Sequence, residues 1–332
     1  MEYQQLSPVL PPIPIMSMGS WHIFNRISTE QGVELIRTAI DLGINYFDIA
    51  PYWDTPNNEE NFAAILRRLG LPRDAYTLAI KLWQWDLAEA TLGDHLDRSL
   101  ATLGTDHADM ILVSRLLPTI DEIEMAEDIC ALIRSGRARA WSVCNWEPDR
   151  SLRVYEHVLA SGLPAPVLIQ LPYNLARRSV IESPAFEALL ASTTMRLQAA
   201  NTLEGGVLTG HLERERYDPS DLEAGFAPTH RNIPRDAGKI RNKIRANYPR
   251  LQAVAERLNA TPAQVAMAFV LAHPHLGSLI FGATRPEHIR ENVGAIDLLA
   301  REGEGLVAMV ADLAVQGGHA PLPFDGKRTV EV

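Results

Sequence analysis

The sequence predicts an α/β chain closed into a single-domain (β/α)8 barrel. Short apolar runs alternate with longer amphipathic stretches about eight times, and no long linker interrupts the alternation. No G-x-G-x-x-G occurs between a strand and a helix, as an open dinucleotide-binding sheet would need. The 332 residues would suggest about two domains by length alone, but α/β barrels of this size are commonly one.

Taken in order, Ile13-Pro14-Ile15-Met16 reads as the first strand and leads to the turn Gly19-Ser20-Trp21. Thr29-Glu30-Gln31 opens a helix with Val33, Leu35, Ile36, Ala39 and Ile40 at helical spacing, and Gly43 stops it. A strand over Ile44–Asp48 follows, then a helix over Asn61–Leu69 and a strand over Tyr76–Lys81. The stretch Leu87–Leu103 carries Leu92, Leu96, Leu100 and Leu103 on one stripe, which predicts a helix ending at Gly104. Asp109–Val113 reads as strand, Asp121–Ser135 as helix, Ala138–Val143 as strand and Arg150–Ala160 as helix. Pro166–Leu171 and Met195–Ala199 are strand-like on either side of a helix over Glu182–Ser192, and Ser278–Phe281 makes the eighth strand. Between the last two strands lie a polar stretch, Glu213 to Arg235, and helices over Leu251–Leu258 and up to Ala272, the second opened by Thr261-Pro262. A long loop in a compact domain is a candidate lid or substrate flap, and a solvated insertion is the plainer alternative.

Composition narrows the function. A net charge of -10 leaves no basic surplus for nucleic acid or an anionic membrane. Cys130 and Cys144 make no disulfide framework or CxxC, which fits a reducing compartment. The first residues lack a signal-peptide pattern and no apolar run approaches a membrane span, so a cytoplasmic protein is expected. The ten histidines are scattered, with no HExxH or G-x-S-x-G, and no metal is expected. The run Gly205 to Gly210 lacks both the spacing and the lysine of a nucleotide P-loop. A small-molecule substrate is the expected partner, and a homo-oligomer is left open.

The chemistry gathers around Gly43–Trp53, G-I-N-Y-F-D-I-A-P-Y-W. A buried strand there ends on Asp48, Tyr52 follows in the next loop, and the next strand ends on Lys81. A tyrosine hydroxyl titrates near pKa 10 and needs help to move a proton near neutrality. A lysine beside it favours the phenolate, and a carboxylate holds the amine in place. Each residue alone has a plainer reading: an Asp after a strand also caps turns, and a strand-end Lys also snorkels.

Residues 43–52, Lys81, Ser142 to Trp146, Gln170 through Asn174, Gly206–Gly210 and Gly282–Asn292 together resemble the aldo-keto reductases, in family order from about Met18 to Ala295. The resemblance is strongest to the branch of potassium-channel β-subunits and their bacterial relatives. It implies a TIM barrel and NADPH-dependent hydride transfer, with Tyr52 as proton donor, Lys81 as its pKa-lowering partner and Asp48 as the carboxylate behind the lysine. It also implies that Ser142, Asn145 and Gln170 orient the nicotinamide carboxamide, and that Gly19, Ser20 and Trp21 form the loop beneath the cofactor. Leu203, Gly206 and Thr209 would fall on the pyrophosphate loop, where glycine lets backbone approach closely. Gly282, Thr284, Arg285, His288, Glu291 and Asn292 would form the adenosine site, where a hydroxyl and a guanidinium at a helix start suit a 2′-phosphate.

The chain departs from the family pattern in three places. The histidine that ends the fourth strand, in a D-x-x-x-x-H pattern from Asp109, is absent, and Ser114 then Arg115 stand there. A serine donates one hydrogen bond and cannot become cationic. Ala200 stands where an aromatic residue commonly stacks on the nicotinamide, leaving Trp21 or Trp53 as substitutes, and His211 replaces a basic residue near the phosphates. Three functions remain: a reductase acting on a carbonyl, conjugated or imine substrate, a redox-neutral dehydratase or isomerase, and a non-catalytic nucleotide sensor. Trp83 and Trp85 read as lining the substrate mouth or packing the rim, and Cys144 and Cys130 as packing residues.

Overall fold

Apolar strands with two faces to bury are stable once they close on themselves and are wrapped in helices. The computed structural model describes residues 1–21, 23–51, 57–84, 90–114, 116, 119–212 and 240–313. It opens with an antiparallel hairpin, β1 (Tyr3–Gln4) and β2 (Ile13–Pro14). Eight parallel strands follow: β3 (Met16–Gly19), β4 (Tyr46–Ile49), β5 (Thr77–Leu82), β6 (Ala108–Val113), β7 (Ala138–Cys144), β8 (Leu168–Pro172), β9 (Arg196–Ala200) and β10 (Leu276–Phe281). β10 pairs with both β9 and β3, which closes the barrel.

Side chains alternate across each strand. Tyr46, Ala79, Met110, Ala140 and Leu168 meet inside the barrel, and Leu10 and Ile13 plug its lower end. Their neighbours Phe47, Leu78, Ile111, Trp141 and Ile169 face the helices. Asp109 also faces outward, where it accepts hydrogen bonds from Arg73 (2.8 Å) and the Leu78 N–H (2.8 Å) and pairs with Arg139 (3.1 Å). This acid therefore clasps β5 to β6 from outside.

The helix layer contains α1 (Thr29–Asp41), α2 (Asn58–Leu69), α3 (Leu92–Leu103), α4 (Glu122–Arg134), α5 (Pro148–Ala160), α6 (Pro184–Ser192), α7 (Ile240–Arg257), α8 (Pro262–Leu271), α9 (Pro286–Glu302) and α10 (Glu304–Val310). Reciprocal capping boxes start three of them: Ser28 with Gln31, Thr91 with Asp94, and Thr261 with Gln264. Each cap stabilises its helix by about 1 kcal/mol. Gly43 has φ of +82°, and a Cβ there would stand 2.8 Å from Met1 Cβ and 2.9 Å from the Tyr3 hydroxyl, so the N-terminal hairpin needs glycine at this turn.

Several boundaries differ from the sequence expectation. The apolar run 13–16 is divided, with Ile13–Pro14 pairing to the hairpin and the barrel strand starting at Met16. α3 begins at Leu92, directly behind its Thr91 cap, rather than at Leu87. α7 begins at Ile240, well before Leu251, and contains Pro249. α10 was not expected at all. The proposed flap, Glu213 to Arg235, lies outside the described residues, and among those described no helix is long and apolar enough to cross a membrane.

Glu122, at the first turn of α4, receives Arg150 Nε (3.0 Å) and Arg153 Nε (2.9 Å) from the start of α5. Burial acts to raise its pKa, but the hydrogen bonds from Arg153 and Arg150 outweigh it and bring the carboxyl down to about 2. A carboxyl lowered on folding contributes stability above its unfolded value of 4.5, and that contribution is lost as pH falls from there toward about 2. Glu122→Gln should therefore melt below wild type at neutral pH, with the gap narrowing by about pH 3. A gap of constant size in thermal melts across that range would contradict the assignment.

Candidate active site

The upper ends of five strands bring a compact polar cluster together inside the barrel. Asp48 on β4 and Lys81 on β5 follow Tyr46 and Ala79 on the inward face, so the strand period aims both upward within the ring. Lys81 Nζ lies 3.2 Å from Asp48 Oδ2 and donates to Gln170 Oε1 at 2.8 Å. Gln170 on β8 donates through Nε2 to Asp48 Oδ2 (2.7 Å) and to Gln198 Oε1 on β9 (2.8 Å). Asp48 and Lys81 are 3% and 7% exposed, so two opposite charges sit almost out of water with an amide between them. Buried charges persist where they are paired and hydrogen-bonded. Asp48 Oδ1 has no hydrogen-bond partner among the described residues.

Cys144, at the end of β7, donates to Gln170 Oε1 at 3.3 Å. It therefore belongs to the cluster, and the packing role expected for it is incomplete. Burial pushes its thiol up to about 11, against the lowering effect of Lys81. Ser142, two residues earlier, lies deeper: its hydroxyl donates to Met110 Sδ (2.9 Å) and accepts from the Leu168 N–H (3.0 Å). Its hydrogen bonds are thus used beneath the rim. Cys130 packs in α4, with its thiol 3.7 Å from the Pro164 carbonyl.

Ser114 ends β6 beside the cluster. Its N–H donates to the Leu82 carbonyl (2.9 Å), and its own carbonyl accepts from Gln84 Nε2 (3.0 Å) and Trp146 Nε1 (2.8 Å). Its hydroxyl is buried with no partner among the described residues. Trp83 donates to the Pro51 carbonyl at 3.0 Å, which fixes the start of the loop that leads to Tyr52. Tyr52, Trp53, Trp85 and Arg115 lie outside the described residues.

Most of the other residues expected to hold a cofactor follow the upper ends of β3, β7, β9 and β10. The Ser20 N–H donates to the Asp48 carbonyl (2.9 Å), which places the Gly19-Ser20-Trp21 turn over β4, and the Ser20 hydroxyl is buried without a partner among the described residues. Asn145 takes a φ of 60° and donates its N–H to the Gln170 carbonyl (2.9 Å). After β9, Asn201, Glu204, Gly205, Gly206 and Gly210 all have positive φ, and the Thr209 hydroxyl bonds back to the Gly206 carbonyl (2.7 Å). Leu203 leads into this coiled loop, and Ala200 and His211 flank it. After β10, the strand paired with β9, Gly282 and Thr284 lead to Arg285, the N-cap of α9, which has no side-chain capping bond and is exposed along with His288. Glu291 accepts Gln264 through its backbone carbonyl (2.9 Å), and Asn292 is buried in the helix.

Sequence reasoning missed what holds the coiled loop. Arg177, after β8, grips Glu204 in a bidentate pair of 2.8 and 2.6 Å, and Asn174 (2.9 Å) and Asn201 (3.1 Å) donate to the same carboxylate. Opposite charges shortly after two neighbouring strands were the available signal. Removing one partner of a buried pair leaves the other uncompensated, so Arg177→Leu should cost about 3 kcal/mol of unfolding free energy by denaturant titration. A loss below about 1 kcal/mol would show that Glu204 is satisfied without the arginine.

Comparison with known proteins fits this geometry. The model of the Aldo/keto reductase family matches residues 15–303. A putative voltage-gated potassium channel subunit beta of Schizosaccharomyces pombe is 26% identical over 299 residues, spanning 86% of each chain. The L-glyceraldehyde 3-phosphate reductase of Escherichia coli (strain K12) is 27% identical over 315 residues, covering 86% of this chain and 85% of the relative. A crystal structure of a thermostable aldo-keto reductase with the inhibitor epalrestat shares the fold, with a TM-score of 0.71, 23% identity, and coverage of 94% of this chain and 100% of the other. Closed barrel, rim cluster and a family match over nearly the whole chain agree: the protein belongs to the aldo/keto reductase family.

Proposed function

We propose that the protein is an NADPH-dependent oxidoreductase that reduces a carbonyl, conjugated or imine substrate, with Tyr52 as the proton donor. The observation that carries this reading is the buried Asp48–Lys81 pair at the upper end of a barrel belonging to the family. A lysine held at that place stabilises a nearby phenolate, so a tyrosine beside it can release its proton to a developing oxyanion near neutral pH. Asp48 and Gln170 keep the ammonium oriented. The surroundings suit the cofactor. The buried hydroxyls of Ser20 and Ser114 and Asp48 Oδ1 have no hydrogen-bond partner among the described residues, and exposed Arg285 heads a helix whose N-terminus attracts phosphate. NADPH bound there would supply the hydride. Two free, buried cysteines fit a reducing cytoplasmic setting.

The serine at the end of β6 shapes the substrate preference. Ser114 is shorter than an imidazole and stays neutral, so the substrate oxygen is held less firmly and a bulkier acceptor has room. A second reading, nucleotide binding without turnover, is supported by the relatives named as potassium-channel β-subunits.

A nucleotide fluorescence titration tests the first part: NADPH should bind, and Arg285→Ala should weaken NADPH by about tenfold while leaving NADH nearly unchanged. No fluorescence response would reject the reductase. Across a panel of carbonyls, enones and imines, NADPH consumption should fall by about a hundredfold or more in Tyr52→Phe. Turnover undiminished in that variant would remove Tyr52 from the reaction, and binding without consumption would favour the second reading.

A further inference from the structure

The loop after β9 takes a shape that two of its own residues resist. Asn201 (φ 57°) and Glu204 (φ 51°) sit in the left-handed region that favours glycine, and Gly205 (φ 65°) and Gly206 (φ 94°) follow directly. Strained backbone of this kind persists where its surroundings over-determine it. Here one carboxylate gathers those surroundings. Glu204 is 4% exposed and receives the Arg177 guanidinium on both oxygens, at 2.8 and 2.6 Å. Asn174 and Asn201 donate to the same carboxylate at 2.9 and 3.1 Å.

The turn that carries the arginine is fixed as well. Asn174 Oδ1 accepts the N–H groups of Ala176 (2.8 Å) and Arg177 (3.0 Å). Asn174 Nδ2 also donates to the Asn201 carbonyl (2.8 Å), so that left-handed residue is held through both backbone and side chain. The turn after β8 is thus a mould for the loop after β9. A carboxylate beside a loop that receives phosphates repels them unless its charge is paired. Arg177 supplies that pairing.

We propose that Arg177 and Glu204 are positioning residues for the cofactor: they set the loop from Leu203 to Thr209 before NADPH arrives, by geometry rather than by net charge. This role rests on the reductase reading above, which assigns the pyrophosphate to that loop. A loop ordered in advance binds more tightly, because its ordering cost is met on folding. The hydride step itself does not depend on the pair.

Charge and geometry give opposite signs for one variant. Arg177→Leu adds one negative charge beside the loop, and Glu204→Gln adds one positive charge. If charge alone acted, the first would weaken NADPH binding and the second would tighten it. Positioning expects both to raise the NADPH dissociation constant by about tenfold, with kcat at saturating NADPH within about twofold of wild type. Asp109→Asn, which breaks the ion pairs on the outer face of β6, is the control and should leave that constant within about twofold. Tighter binding by Glu204→Gln, or affinity within about twofold of wild type in both variants, overturns the proposal. An equal loss of affinity in Asp109→Asn also overturns it, because general destabilisation would then account for the effect. Should Arg177→Leu fail to fold, Arg177→Lys keeps the charge, loses the fork and makes the same comparison.

A second arm needs no nucleotide. The amides of Gly206 and Leu208 donate to the Leu203 carbonyl at 2.9 and 3.2 Å and report the shape of the loop. Their hydrogen exchange in the free protein should be about tenfold or more faster in Arg177→Leu than in Asp109→Asn. Equal exchange in the two would show that the loop keeps its shape without the pair, and would overturn the proposal. If the wild-type protein itself does not bind NADPH, the reductase reading fails, and the exchange comparison still decides whether the pair sets the loop.

Discussion

Two opposite charges held almost out of water, Asp48 and Lys81, set the terms for the upper half of this barrel. Such a pair is weak support for stability, because desolvation of both ions offsets much of their attraction. The lower interior shows the cheaper solution, with Tyr46, Ala79, Met110, Ala140 and Leu168 packed as a mostly apolar plug. An ion pair placed two residues above that plug, on the same inward faces, fits a part kept for chemistry. Gln170 reduces the cost by giving each charge a further neutral partner in one rigid amide.

The rim around the pair is tied down by backbone carbonyls and one second ion pair. Trp146 and Gln84 both donate to the Ser114 carbonyl, and Trp83 donates to the Pro51 carbonyl. These bonds join the ends of β4, β5, β6 and β7 into one platform. On the far side, Arg177 and Glu204 secure the left-handed loop after β9 to the turn after β8. A site that moves a proton over a short distance depends on such fixed geometry, since small displacements of donor and acceptor weaken the transfer steeply.

Much of this was legible in the sequence because it depends on local pattern. Strand and helix alternation follows from hydrophobic period, and the ends of α1 and α8 follow from Gly43 and from Thr261-Pro262. Asp48 and Lys81 could be named because strand ends deliver residues to a barrel rim. What stayed hidden depends on where alternate residues point and on contacts between distant segments. Cys144 and Ser142 lie two residues apart on one inward face, yet one reaches Gln170 and the other bonds Met110 and the Leu168 N–H deeper inside, a difference of height that spacing does not reveal. Gln198 carries no motif, and Glu204 and Arg177 meet across 27 positions of sequence. The division of the run 13–16 between a hairpin and the barrel was equally hidden, since both halves are apolar.

Under the proposed reductase reading, the Asp48–Lys81 pair serves proton transfer rather than holding the fold. Measuring turnover and unfolding together in the double variant Asp48→Asn/Lys81→Met tests it most directly. On that reading NADPH consumption falls by about a hundredfold or more, with an unfolding midpoint above that of Lys81→Met alone, because no uncompensated buried carboxylate remains. A double variant that reduces substrate at the wild-type rate would contradict it.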